Sequence, residues 1–258
     1  MTELLEATEE GVAWLTLNRP DRLNAFSPAM LQGLGEALQR LGDDGTIGTI
    51  VISGAGRGFC TGGDVKTMAD RASQGFEDRV EGLRRMHQLP MLLRTIPKVV
   101  IAMVNGPAVG AGFGLALACD LRIASADARF AFPEVTIGAV PGWAGSQRLP
   151  RIIGAGRAKQ LILSGEPVDA ATAAAWGLVN EVVPADRLAA RALELARRIA
   201  ENAPTAVQAS KQLVDAGLGE GLGSALEALG AGLAASTGDA REGITAFREK
   251  RKPKYTGN

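Results

Sequence analysis

NGPAVGAGFGLALACD, residues 105–120, is the stretch that decides the fold of this chain. Directly before it, residues 99–104 read VVIAMV, a continuous apolar run without helical spacing. Such a run is typical of a strand that is buried on both faces. Asn-Gly-Pro then turns the chain, and an Ala- and Leu-rich segment follows Gly110, Gly112 and Gly114. We therefore place these three glycines at the N-terminus of a helix.

A helix N-terminus offers free backbone N–H groups and a partial positive charge, so it suits an oxyanion or a phosphate. The spacing here is G-x-G-x-G and not the dinucleotide pattern G-x-G-x-x-G. The acidic ribose ligand of a second βα unit and the lysine of a phosphate loop are both missing. Taken alone, the stretch leaves two interpretations open, an anion site or plain close packing of a helix on a strand.

Composition excludes several classes of function. The 258 residues contain 28 Lys and Arg against 28 Asp and Glu, which gives no general attraction to nucleic acid or to an anionic membrane. Cys60, Cys119 and a single histidine lack the spacing of a zinc site or a disulfide framework. The N-terminus lacks a signal-peptide pattern, and no apolar run is long enough to span a bilayer. We expect a cytoplasmic protein without nucleic-acid, membrane or metal partners.

Strand and helix patterns alternate through the first part of the chain. Residues 12–17 and 47–53 read as strands, and Ser27-Pro28 caps a helix between them. Beyond about Gly154 helical patterns dominate. The sequence thus predicts an α/β core followed by a helical C-terminal region.

Four further segments accompany residues 105–120 in a recognisable order. They read NRPDRLNA at 18–25, GFCTGGD at 58–64, FPEVTIGAVPG at 132–142 with QRLP at 147–150, and AFREKRKP at 246–253. With these segments the sequence resembles the crotonase, or enoyl-CoA hydratase/isomerase, superfamily over almost its whole length. The resemblance implies a ββα-spiral α/β core at 1–195 and a helical oligomerisation region at 196–258. It also implies a homotrimer or a dimer of trimers.

Members of this family bind acyl-CoA thioesters and stabilise the enolate that forms from them. The resemblance assigns the two backbone N–H donors of this oxyanion hole to Gly63 and Ala111. Peptide donors held where a glycine-rich turn enters a helix need no reorganisation as charge develops on the oxygen. No separate cofactor is implied, because coenzyme A is part of the substrate.

The resemblance assigns a second set of residues to the CoA portion of the substrate. Three of them have an alternative role. Arg22 and Lys250 can be plain solvated charges, and Asp64 can cap a helix that opens at Val65. The set, in which the last two residues reach the CoA of a neighbouring subunit, is Arg22, Leu23, Ala25, Thr61, Asp64, Phe247 and Lys250.

The acid–base residues separate the reactions of the family. Typical hydratases have two glutamates, whereas this chain has Gly114 at the first position and Glu134 at the second. Two carboxylates best hold and activate water, but one suffices to move a proton from C2 to C4 and shift a double bond. Enoyl-CoA isomerases of the family use one glutamate, and feruloyl-CoA hydratase-lyases also lack the first. Isomerisation and hydration are therefore both possible, with Glu134 as the base in each. Because Glu134 follows Pro133 in an apolar segment, we expect its pKa to be raised.

Other branches of the family have different requirements. Gly142 stands where dehalogenase-like members have a nucleophilic aspartate, so that chemistry is excluded. His87 could activate water in an acyl-CoA hydrolase or decarboxylase, or it could be a wall or surface residue. The third hypothesis is that the protein is a non-catalytic member of the family that only binds acyl-CoA. Phe113 and Trp143 could line the acyl site, although packing in the core is the more ordinary role for both.

Overall fold

A computed structural model describes residues 2–63, 76–143, 145–217, 229–233 and 235–257. Its main sheet has six strands in the order β1-β2-β3-β4-β6-β9. The first two strands pair antiparallel, and every later pair in this sheet is parallel. The strands are β1 Leu4–Glu9, β2 Val12–Leu17, β3 Thr49–Gly54, β4 Val99–Val104, β6 Leu121–Ser125 and β9 Glu181–Val183.

A smaller sheet of three strands and nine named α-helices belong to the described fold, and the described residues 229–233 are helical as well. The small sheet has the order β5-β7-β8, with β5 at Ala108–Val109, β7 at Arg129–Ala131 and β8 at Val168–Asp169. No helix of the described residues is long and apolar enough to cross a membrane. The helices are α1 Pro28–Asp43, α2 Phe76–Thr95, α3 Ala111–Ala118, α4 Gly145–Ile153, α5 Ala155–Ser164, α6 Ala170–Ala175, α7 Leu188–Ala200, α8 Pro204–Ala216 and α9 Gly238–Glu249.

Helices cover the main sheet on both faces. Ile50 and Ile52 of β3 point into the larger core, whereas Val51 between them belongs to a second core on the other face. The second core is closed by α7 through Leu188 and Ala192. Residues of β4 are likewise divided between the two cores. The predicted doubly buried strand at 99–104 is therefore confirmed, because apolar side chains leave in both directions.

Most other predicted elements are present. The hydroxyl of Ser27 accepts a hydrogen bond from the N–H of Met30 at 3.0 Å and so caps α1, as predicted. The chain beyond Gly154 is mainly helical, which confirms the α/β core followed by a helical region. Strand β1 was not predicted, because only its Leu4 is buried and its sequence lacks an alternating apolar pattern. The sequence at 221–235 also has a helical pattern, but this segment lies largely outside the described residues.

A very close backbone approach in the core joins α3 to the turn that follows β3. A Cβ atom on Gly112 would lie 2.1 Å from the carbonyl oxygen of Cys60. Gly62 has φ +81°, and its Cβ would lie 2.9 Å from the N atom of Ala111. Two glycines therefore allow the main chains of the two segments to touch directly.

We expect Gly112→Ala to lower the free energy of unfolding by about 1–3 kcal/mol, because the added methyl group overlaps a backbone oxygen that cannot rotate away. Gly156→Ala is the matched control, since a Cβ there meets nothing within 4 Å in α5. That control should stabilise the protein by about 0.4–1 kcal/mol. Urea unfolding of both variants checks the difference, and equal effects would contradict the close approach.

Candidate active site

Two of the motifs form one continuous wall. The N–H of Thr61 donates to the carbonyl of Leu23 at 3.1 Å, and the N–H of Phe26 donates to the carbonyl of Gly62 at 2.7 Å. Leu23 and Asn24 reach this register with left-handed φ values of 48° and 57°. The segment at 18–25 is thereby fixed against the turn at 60–63.

Two asparagines hold the preceding turn, and the sequence analysis gave neither of them this role. Asn24 is fully buried, and its Nδ2 donates to the carbonyls of Ala55 and Gly58 at 2.9 and 2.8 Å. Asn105 donates from Nδ2 to Gly54 and Gly56, both at 2.9 Å. Both are motif residues with short polar side chains beside glycine-rich turns, a setting in which Asn side chains bond to backbone groups.

The residues predicted to form the oxyanion hole lie on neighbouring segments. Ala111 is the first residue of α3, so its N–H has no acceptor inside the helix. Gly63 pairs with Phe26 in a parallel bridge one residue after Gly62, which approaches Ala111. Val109 N–H donates to the carbonyl of Cys60 at 2.9 Å and joins the two segments. The geometry thus brings together the two turns that the sequence analysis paired.

The thiol of Cys60 lies where these two turns meet and is unreactive. Burial raises its pKa to about 12, so it stays protonated at neutral pH. It donates to the carbonyl of Asn24 at 3.1 Å and accepts from the N–H of Gly62 at 3.4 Å. Its role in this position is to hold the turn.

Two arginines cap the other end of α3. Arg122 is 7 % exposed and donates from Nη1 to the carbonyl of Cys119 at 2.9 Å. Arg148 donates to the carbonyl of Leu117 at 3.3 Å. Cations at a helix C-terminus satisfy orphan carbonyls and complement the helix dipole. QRLP at 147–150 was part of the family motif, but this function was not predicted.

Glu134 lies at the N-terminal end of α3. Its Oε1 would be 3.1 Å from a Cβ on Gly110, the residue that precedes the helix. Oε2 is buried and has no hydrogen-bond partner among the described residues. Burial raises the pKa of this carboxyl, its own backbone N–H lowers it, and no charged side chain in the described part of the chain contributes. The carboxyl is therefore partly desolvated, and one of its oxygens has no hydrogen-bond partner among the described residues.

Trp143 occupies the space beside Gly114, where the first glutamate of a hydratase would begin. A Cβ on Gly114 would lie only 2.6 Å from the Cβ of Trp143. The indole stacks on Phe26 with ring centroids 4.7 Å apart and an interplanar angle of 7°. Phe113, in contrast, packs against Phe130 and Phe132 in the core.

The residues predicted for the CoA portion are placed in two groups. Leu23, Ala25 and Thr61 lie in the fixed wall, and Thr61 Oγ1 is 3.4 Å from the carbonyls of Arg22 and Leu23. The Arg22 side chain is exposed at the end of this wall. Asp64 lies outside the described residues. The second group is on α9 and its C-terminal cap, where Phe247 is 86 % exposed and Lys250 is exposed.

His87 lies on α2 with an exposed side chain. Exposure on the surface of the chain is what a wall or surface residue would show. Its use as a water-activating base stays a prediction without a supporting contact in the described residues.

Comparison with known proteins gives the same family for every kind of match. The model of the family described as "Enoyl-CoA hydratase/isomerase" matches residues 7–258. The 2,3-dehydroadipyl-CoA hydratase of Escherichia coli is 40 % identical over 262 residues, which cover 100 % of both chains. The 1,2-epoxyphenylacetyl-CoA isomerase of the same organism is 37 % identical, over 100 % of this chain and 99 % of that protein.

A solved structure agrees over the same extent. The crystal structure of enoyl-CoA hydratase from Bacillus anthracis superposes with a TM-score of 0.94 at 35 % identity and covers 99 % of this chain and 100 % of that one. This match confirms the crotonase-like α/β fold that the sequence motifs implied.

We expect Gly114→Ala to cost about 1–3 kcal/mol of stability, because its Cβ overlaps the Cβ of Trp143. The same substitution should cost clearly less in a Trp143→Gly background, where that Cβ is absent. A double-mutant cycle by urea unfolding should give a coupling energy of about 0.5–3 kcal/mol. Strictly additive costs would show that the two positions do not exclude each other.

Proposed function

This chain belongs to the enoyl-CoA hydratase/isomerase family, and on that premise we propose that it moves the double bond of an enoyl-CoA thioester between C3 and C2. The N–H groups of Gly63 and Ala111 donate hydrogen bonds to the thioester oxygen, and Glu134 transfers the proton. The observation that favours this reaction is that Glu134 lies at the start of a helix whose Gly114, at the position of the other glutamate of hydratases, is covered by Trp143.

Each step follows from this chain's own groups. The carbonyl oxygen accepts two backbone N–H bonds, so the negative charge that develops on it is stabilised by donors already in place. Glu134 removes a proton from C2 of a 3-enoyl thioester, and the electron pair of the C–H bond passes into the enolate. The protonated Glu134 then returns that proton to C4, while the double bond moves to C2–C3. One carboxyl group suffices because it acts first as base and then as acid.

The elevated pKa suits this role. A desolvated carboxylate is a stronger base than one in water.

Hydration of a 2-enoyl thioester is the second candidate. It is favoured by the relative named as a 2,3-dehydroadipyl-CoA hydratase, which is 40 % identical over the whole chain. In that reaction Glu134 alone would take a proton from water as the oxygen adds to C3, and would then protonate C2.

The CoA portion would lie along the wall formed by Arg22, Leu23, Ala25 and Thr61. An assembly of copies would complete it, because the family resemblance places Phe247 and Lys250 against the CoA of a neighbouring subunit, and both side chains are exposed on the single chain. The 81 % exposed Val214 of α8 and the 58 % exposed Ile244 of α9 support association through the helical region, as a trimer or a dimer of trimers.

We expect Glu134→Gln to lower kcat/KM for conversion of a 3-enoyl-CoA to the 2-enoyl-CoA by about 10²–10⁴-fold, since the amide cannot accept the proton. Purified protein would be assayed on paired 3-enoyl- and 2-enoyl-CoA substrates, with Glu166→Gln as the control at an exposed glutamate. A 3-hydroxyacyl product in place of the isomer would select hydration. Release of free CoA would contradict both reactions and favour the hydrolase that uses His87.

The pH dependence gives an independent test. Glu134 must be deprotonated to act as base, and burial raises its pKa above the ordinary value of 4.5. Activity should therefore fall as the pH drops through a midpoint above 4.5, in the kcat/KM profile of the wild-type protein. A profile that stays flat down to that value would contradict Glu134 as the base.

A further inference from the structure

We propose that the indole N–H of Trp143 donates a hydrogen bond to an oxygen beyond the thioester of the bound acyl group. This oxygen either belongs to the acyl chain or is the water that adds to it. The inference rests on the proposed function, because it concerns the acyl end of the same site, and it makes Trp143 a residue that determines specificity.

The position of the indole is the first argument. Trp143 contacts Gly114, three residues after the predicted donor Ala111. On its other side it stacks on Phe26, whose backbone pairs with the second predicted donor, Gly63. Trp143 thus contacts Gly114 in the segment of Ala111 and also Phe26, the residue that pairs with Gly63.

The second argument is an unsatisfied polar group. Trp143 is 2 % exposed, and its Nε1 has no hydrogen-bond partner among the described residues. A buried indole N–H normally finds a partner, because leaving it unpaired costs free energy. Phe26, on which the ring stacks, offers only apolar ring atoms to it. A ligand oxygen would supply the missing acceptor.

The third argument is backbone conformation. Trp143 has φ +54°, which is rare for a bulky aromatic residue. Such conformations persist where the surrounding structure over-determines them, and they cluster at ligand sites. Gly142 and Gly145, residues that adopt positive φ without strain, lie close to this position in the sequence. The positive φ nevertheless falls on Trp143.

Trp143 is also chemically complementary to Glu134. The Glu134 carboxyl lies beside Gly110 through Oε1, and the Cβ of Trp143 lies beside Gly114, four residues further on. The acceptor Glu134 Oε2 and the donor Trp143 Nε1 are both buried and have no partner among the described residues. The two carboxylates of a typical hydratase would offer the ligand only hydrogen-bond acceptors. A site with one donor and one acceptor fits an oxygen that accepts from the indole, and a hydrocarbon chain leaves that donor unpaired.

The test compares ligands that differ in one oxygen. Affinities of butyryl-CoA, 3-hydroxybutyryl-CoA and 4-hydroxybutyryl-CoA are measured for the wild-type protein, for Trp143→Phe and for Trp176→Phe, a control in another part of the chain. Trp143→Phe retains an aromatic ring and removes the N–H. Hydration of crotonyl-CoA is assayed with the same proteins. The indole ¹⁵N–¹H signal, assigned as the one lost in Trp143→Phe, is followed during each titration of the wild-type protein.

If the acyl chain supplies the oxygen, Trp143→Phe should weaken at least one hydroxybutyryl ligand by about 3- to 10-fold relative to butyryl-CoA. If water supplies it, crotonyl-CoA hydration should fall by a similar factor, and only 3-hydroxybutyryl-CoA, whose hydroxyl is the added water, should be weakened relative to butyryl-CoA. In both cases the Trp143 indole signal of the wild-type protein should shift with the oxygen-bearing ligand and not with butyryl-CoA.

Equal losses for all ligands, with an indole signal that does not respond, would overturn the inference and leave the proposed function intact. A wild-type protein that binds none of the three thioesters would instead overturn the proposed function. Should Trp143→Phe fail to fold, the wild-type titration decides by itself. The responding signal is then assigned by loss of the other two indole signals in Trp14→Phe and Trp176→Phe.

Discussion

The direct contact between two backbones, at Gly62 and Gly112, is the constraint on which the site depends. A side chain at either glycine would meet main-chain atoms at 2.9 and 2.1 Å. The parallel strands β3 and β4 deliver the turn at 60–63 and the start of α3 to the same edge of the sheet. In open parallel sheets that edge is where ligands bind. The structure shows the close packing, and in the proposed site this same packing would place the two backbone donors of the oxyanion hole.

A helix of eight residues could not supply such donors without support. Isolated helices of that length are unstable in water, so α3 depends on its surroundings. Arg122 and Arg148 satisfy its C-terminal carbonyls, and the Lys211–Asp120 ion pair at 2.9 Å closes the same end. Positive charge is thus concentrated at the negative end of the helix dipole. The N-terminal end, next to Glu134, is the end at which the proposed reaction would develop negative charge on the substrate.

The sequence was informative wherever local rules and tertiary packing agree. The doubly buried strand at 99–104, the cap at Ser27 and the glycine-rich helix start follow from patterns of a few residues, and the structure has them. Strand β1 could not be found, because its partner β2 supplies the pairing and its own side chains are mostly exposed. The capping roles of Arg122 and Arg148 were also out of reach, since their acceptors are backbone atoms brought near by folding. Motif order gave the segments of the site, but not which polar atoms in it would lack partners.

The presence of Gly114 where typical hydratases have a glutamate does more than remove one functional group. The helix position next to the acyl site cannot hold any side chain while Trp143 is in place, because the two Cβ atoms would be 2.6 Å apart. Replacing an ionised acceptor with an indole changes the charge of the site as well as its hydrogen bonding. Two nearby carboxylates would repel each other and raise one pKa, whereas the pKa of Glu134 is governed by burial. In the proposed reaction, the Glu134 base beside an aromatic wall suits proton transfer along a carbon chain better than the holding of a water molecule between two anions, and Gly114 and Trp143 together would set that preference.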